Sequence, residues 1–167
     1  EAGFVIHSAI HSVEAMENRV VMHSHSRAGM AIAALRHGLL PISMNATLFF
    51  DDIAYHDFEG PSLYLEERDR LRKSLGTKKA MILRNHGLLT VGRTVAEAFI
   101  RLYRLEQACR IQLDAAAAGE LNLLDDRIAR KSGHDTSRFM ESEAAYGQLE
   151  FNALMRKLDK TDNSYRH

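Results

Sequence analysis

Two short apolar runs in this chain each lead directly into histidine, and that repetition constrains the fold more than any other feature. Val20, Val21 and Met22 enter His23-Ser24-His25, and Lys79 to Leu83 enter Arg84-Asn85-His86-Gly87. Runs this short and this apolar suit strands buried on both faces. Residues two apart on an extended segment face the same side, so His23 and His25 can present both imidazoles to one ion at about 2.0–2.1 Å. A lone H-x-H also arises by accident among core or surface histidines. The second strand-then-histidine segment changes the balance, because parallel strands deliver their carboxyl-end loops to the same edge of a sheet, where sites tend to form. Gly87 is expected to let the backbone turn sharply just beyond His86. Three imidazoles leave positions open for water or substrate, as in a catalytic rather than a closed structural site.

The remaining elements follow from periodicity and caps. Ile6, Ala9, Ile10 and Val13 recur at helical spacing within Phe4 to Met16, and His7, His11 and Glu14 share the neighbouring stripe. Ser26 can cap a helix through Leu35, which Gly38 can end in a left-handed conformation. Pro41 to Phe50 mixes β-formers with polar residues, and Ala54 to Gly60 ends in turn chemistry. A charged helix follows around Leu65 to Leu75, its EERDRLRK run reading as a solvated face. Thr94 and Glu97 form a T-x-x-E capping box that opens a long helix. Val95, Ala98, Phe99, Leu102, Leu105, Cys109, Leu113 and Ala116 line one face of it, and Gly119 can close it. Residues 120–138 read as polar and irregular, before a last amphipathic helix from about Phe139 to Leu158. No repeat, low-complexity tract or inter-domain linker interrupts residues 1–167, so one domain is expected.

Composition narrows the partners. Lys+Arg and Asp+Glu both total 22, which disfavours nucleic acid and anionic membranes. The apolar runs break well short of the ~18 residues that suggest a membrane span. A single cysteine, Cys109, with no leader-like start, points to the cytoplasm.

HSHSRAGMAIAALRHGLLP resembles the H-x-H-S segment of the class II aldolase and adducin N-terminal domain family. MILRNHGLLTVGRTVAEAF is similar to that family's L-x-N-H-G segment and the long helix after it, while AYHDFEG and MRKLDKTDNSYRH resemble its adducin-like bacterial branch. The resemblance implies a three-layer α/β fold, a central mostly antiparallel β-sheet flanked by helices, which amends the parallel geometry above. It implies His23, His25 and His86 as ligands of one divalent metal, most often zinc, with manganese, iron or cobalt in some members. It further implies a homo-oligomer, commonly a tetramer, and a lyase acting on a small hydroxy-carbonyl compound, often a sugar phosphate, through a metal-stabilised enediolate. The alternative is an adducin-like binding or scaffold protein that keeps the fold.

Two departures qualify the resemblance. In the aldolase branch a carboxylate stands four residues before the position of His7, where this chain has Gly3; Glu1 is two residues off that place. The family's N-terminal G-N-x-S loop and phosphate-gripping residues are also absent, so the chain is expected to correspond to roughly the last two-thirds of a family domain. His7 is a candidate catalytic residue, as a partner of the metal-bound water or a weak ligand, and His11 a lesser one. Tyr146 is a candidate proton donor reaching a neighbouring subunit's site. His37, His56, His134 and His167 read as surface or turn residues, and Cys109 as a small core residue.

Overall fold

In the computed structural model, residues 2–12, 19–60, 65–141 and 145–166 are described. Helix α1 (Ala2–His11) precedes β1 (Val20–Ser24), α2 (Arg27–Ala33), the one-turn α3 (Met44–Thr47) and β2 (Ile53–His56). Then come α4 (Glu67–Leu75), β3 (Ala80–Leu83), β4 (Gly87–Gly92), α5 (Val95–Ala118), α6 (Asp126–Glu141) and α7 (Gln148–Thr161), with a 3-10 turn at Ser164–Arg166. Val13, Glu14, Met16 and His167 lie outside the described residues.

The sheet order is β1-β4-β3-β2. Strand β4 pairs antiparallel with both β1 and β3, whereas β2 pairs parallel with β3. The sheet is therefore mostly antiparallel, as the family resemblance implies. Because β4 runs antiparallel between them, β1 and β3 point the same way without touching, and β2 points with them. All three carboxyl ends emerge at one edge. Both histidine segments leave there, which is why the simpler parallel-strand reading placed them together with the pairing itself wrong.

Helices cover both faces. Ile6 and Ile10 of α1 and Leu71 and Leu75 of α4 pack on Val21, Met81, Leu89 and Val91. On the other face Ala28 and Ile32 of α2 and Leu105 and Cys109 of α5 pack on Ala80, Ile82 and Leu88. Each Leu or Ile that loses all contact with water here contributes about 1.5–3 kcal/mol. Alternate residues of β3 and β4 thus feed different cores, and every residue of both strands is buried. Burial pushes the Cys109 thiol up to about 12, so it behaves as an inert core residue.

Capping works as the sequence indicates. Thr94 Oγ accepts from Glu97 N at 3.1 Å, while the Glu97 carboxylate reaches back to Arg93 N at 2.9 Å, one residue before the cap. Ser26 Oγ accepts from Gly29 N at 3.1 Å, and Gly38 is left-handed at φ 64° although α2 itself ends at Ala33. Four expectations change. Val95 and Ala116 at the ends of the α5 stripe are exposed, because that face outruns the sheet it covers. Glu67 in the charged run of α4 is buried, with Leu71 and Leu75. His56 is also buried rather than a surface or turn residue, since β2 extends to it before the turn begins. Finally, residues 126–138, expected to be irregular, are helical within α6, and the last helix begins at Gln148 rather than about Phe139.

The reason lies in Gly133, whose missing side chain hides the helical signal. A Cβ there would stand 2.2 Å from the Thr47 carbonyl oxygen, so glycine lets α6 press on α3; the Thr47 and Ser132 hydroxyls bond at 3.0 Å beside it. Gly133→Ala should gain about 1 kcal/mol of helix propensity yet destabilise the protein overall, by about 1–3 kcal/mol from forcing the helices apart. Urea unfolding checks this, and a net stabilisation would contradict the contact.

Candidate metal centre

Val21 is buried toward α1 and α4, and His23, two residues on, projects from the same face of β1. His25 follows beyond the end of the strand. His86 comes from the turn between β3 and β4, where Asn85 takes the left-handed conformation (φ 55°) and its N–H bonds to Ala33 O at 3.0 Å. His86 N then bonds to Leu83 O at 3.0 Å, closing the turn. Asn85, not Gly87, therefore supplies the unusual backbone, as asparagine tolerates it better than most residues. Gly87 is needed for a different reason: a Cβ there would meet Ser24 O at 2.3 Å, His25 Cδ2 at 3.2 Å and His23 Cε1 at 3.3 Å. The two histidine segments close on each other only across a glycine.

The three rings stand with centroids 4.6 Å (His23–His25), 4.8 Å (His23–His86) and 4.8 Å (His25–His86) apart. One ring nitrogen from each lies within 4.8 Å of the others. His23 Nδ1 is 2.8 Å from Leu88 O; a carbonyl can only accept, so Nδ1 carries the proton and Nε2 keeps its lone pair. That Nε2 is 2.8 Å from His25 Nε2. Two nitrogens bonded to one ion at about 2.0–2.1 Å stand about 2.9–3.3 Å apart for angles between about 90° and tetrahedral, so this pair is close to the spacing of a shared cation. The donor set suits zinc and its neighbours in the transition series, for which imidazole is a preferred ligand.

Electrostatics favour the neutral, ligating form. Burial, opposed by a smaller effect of the Leu88 carbonyl and reinforced by the neighbouring histidines, depresses His23 to about 4. Burial and then His25 lower His86 as well, while the Glu67 carboxylate pulls the other way. Beside the site, the Ser26 hydroxyl donates to Glu106, fixing the start of α2 directly after His25.

His7 stands apart from the cluster. It is half-buried on α1 with its ring 6.2 Å from that of His11, and burial followed by His11 lowers its pKa. Its charge reaches His23 as the smallest of the effects on that ring. A Cβ at Gly3 would meet nothing within 4 Å, so the place of the family carboxylate opens to solvent. Tyr146 is 8% exposed, beneath the Arg101 guanidinium at 4.8 Å. Its neighbour Gly147 packs on Ala96 and Ile100 in the first turns of α5, at the end of the sheet away from the histidine edge. His37 and His134 are exposed, as expected. Sequence reasoning missed Asn85, which the Asn-His-Gly turn could have flagged, and the buried pair His56 and Glu67, for which no local signal exists.

This arrangement defines a mixed α/β protein with a histidine cluster at the carboxyl edge of its sheet. Residues 1–113 match the Class II Aldolase and Adducin N-terminal domain, and the chain belongs to that family. It is 40% identical over 166 residues to a Caulobacter vibrioides protein named after the class 2 aldolases, covering 98% of this chain and 63% of that one. Human beta-adducin is 38% identical over 180 residues, covering 99% of this chain and 24% of the adducin. Among solved structures, an aldolase II superfamily protein from Pseudomonas syringae superposes with a TM-score of 0.87 at 41% identity, covering 99% of this chain and 66% of that chain. L-fuculose 1-phosphate aldolase from Glaciozyma antarctica follows with a TM-score of 0.69 at 36% identity, covering 80% and 50%. The chain thus spans less than two thirds of the Caulobacter relative. No helix among the described residues is long and apolar enough to cross a membrane.

The depressed His23 has a sign that can be checked. Its folded pKa lies below the unfolded value of ~6.5, so it is neutral in both states at high pH, and as pH falls from ~6.5 toward 4 only the unfolded chain takes up the proton. Metal-free protein should lose stability across that window, and the His23 ring protons should titrate near 4 by NMR. A midpoint near 6.5 would contradict the burial described.

Proposed function

We propose that this chain carries the metal site of a divalent-metal-dependent lyase of the class II aldolase type, with His23, His25 and His86 as the ligands. The observation that carries the reading is the convergence of the three rings with His23 Nδ1 committed to Leu88 O, which leaves Nε2 to the ion. The substrate would be a small hydroxy-carbonyl compound, and the sugar phosphate in the name of the Glaciozyma relative makes L-fuculose 1-phosphate a first probe. A bound zinc, or manganese, iron or cobalt, supplies Lewis-acid polarisation of the substrate carbonyl. The chain's own residues hold the geometry: Leu88 fixes the tautomer of His23, Asn85 aims His86, and Gly87 lets the segments meet. Whole-protein activity also draws on relatives' residues beyond the aligned stretch, and assembly into an oligomer, four subunits in the family's usual form, would let Tyr146 serve a neighbour. A reducing cytoplasm suits the single buried thiol.

A binding or scaffold role is the second reading, favoured by Gly3 in place of the family carboxylate and by the adducin similarity over nearly the whole chain. Metal content separates the two. Protein purified without added metal should hold about one equivalent of a divalent ion, and His23→Ala, His25→Ala or His86→Ala should each weaken binding at least roughly tenfold. Metal-free protein that also fails to take up zinc would remove the enzyme reading.

Gly3 and His7 give a second test. With open space at Gly3, His7 is the residue of α1 whose charge reaches His23, and we assign it to positioning bound water. An imidazole exchanges protons near neutrality, unlike a carboxylate that is ionised there. Gly3→Glu should then raise retro-aldol turnover, whereas His7→Ala should lower any detected turnover by about 10²-fold and leave zinc content unchanged. Turnover indifferent to His7→Ala would make His7 structural.

A further inference from the structure

Beside the histidine cluster lies a second, buried set of polar side chains. His56 ends β2 on the α4 face, and α4 places Glu67, Leu71 and Ser74 toward it at steps of four and three residues. Ser74 Oγ is 3.0 Å from His56 Nδ1, and Glu67 Oε1 is 3.4 Å from His56 Nε2. Both His56 and Glu67 are 6% exposed. His56 Nε2 is buried and makes no hydrogen bond, because 3.4 Å is beyond good bonding length.

Glu67 and His56 line a narrow pocket with Phe58, Leu83, Arg84 and His86. The space holds about one water. At its rim Arg70 is bonded to Glu59 at 2.8 Å, and Arg84 pairs with Asp57 at 3.4 Å while stacking on Tyr55. Glu67 shares the pocket with two imidazoles, those of His56 and His86. Among the described residues the His86 ring makes no hydrogen bond, whereas His23 has Leu88 O. An imidazole ligand ordinarily gives its other N–H to a carboxylate, carbonyl or water, which sets its tautomer and orientation.

Resting on the metal-site reading above, we propose that Glu67 is the positioning residue for His86. It accepts, through one water in the pocket, from the ring nitrogen of His86 that does not face the cluster. Glu67 thereby does for His86 what the Leu88 carbonyl does for His23. The test is Co²⁺ titration of the metal-free protein followed by visible absorption. Glu67→Gln should bind Co²⁺ 10–100-fold more weakly, with an altered visible spectrum and unchanged circular dichroism. Glu59→Gln, at the exposed rim, should bind like the wild type. Equal affinity in wild type and Glu67→Gln would overturn this inference and leave the metal site standing; a wild type that binds no Co²⁺ would overturn both. Should Glu67→Gln fail to fold, ring ¹⁵N shifts of metal-free wild type decide: one dominant neutral tautomer of His86 is expected, and an equal mixture of the two would refute the assignment.

Discussion

Everything at the histidine edge depends on how closely β4 begins against the end of β1. The two strands meet where Gly87 passes the Ser24 carbonyl, at a separation that excludes any side chain. One residue later the Leu88 carbonyl bonds His23 Nδ1 at 2.8 Å. A single backbone crossing therefore positions one imidazole, fixes its tautomer and brings the Asn85–His86 turn alongside. The buried ladder of β3 and β4, sealed by helices on both faces, makes that crossing rigid. Cores packed to this density change in steps rather than by gradual deformation.

Strand order converts this crossing into a site. With β4 running backward between β1 and β3, three carboxyl ends share one edge. That edge carries His23 near the end of β1 and His25 just beyond it, His56 at the end of β2, and His86 after β3. Two of the three segments contribute to the histidine cluster, and β2 contributes the buried His56 that faces Glu67. The result is layered: imidazoles toward solvent, and behind them a carbonyl on one side and a carboxylate on the other. In metal centres such outer groups orient the ligands and tune their basicity.

Much of this was legible in the sequence, and the rest was hidden for identifiable reasons. The strand-then-histidine segments located His23, His25 and His86, because short apolar runs and their boundaries are local signals. The Ser26 cap of α2 and the capping box of α5 were equally local. What could not be read was anything that needs two distant segments at once. His56 looked like a turn residue until β2 and α4 were seen to enclose it, and Glu67 looked like one charge in a solvated run. Gly87 was assigned to a sharp turn, whereas its neighbour across the sheet is what requires it and Asn85 makes the turn. Helix α6 escaped notice because Gly133 serves packing on Thr47 rather than helix propensity.

The central claim is that three imidazole nitrogens share one ion at this edge. X-ray absorption at the zinc edge of the zinc-loaded protein measures this most directly. The account predicts three imidazole scatterers at about 2.0–2.1 Å with the remaining coordination filled by oxygen. A first shell with sulfur, or with fewer than three imidazoles, would contradict it.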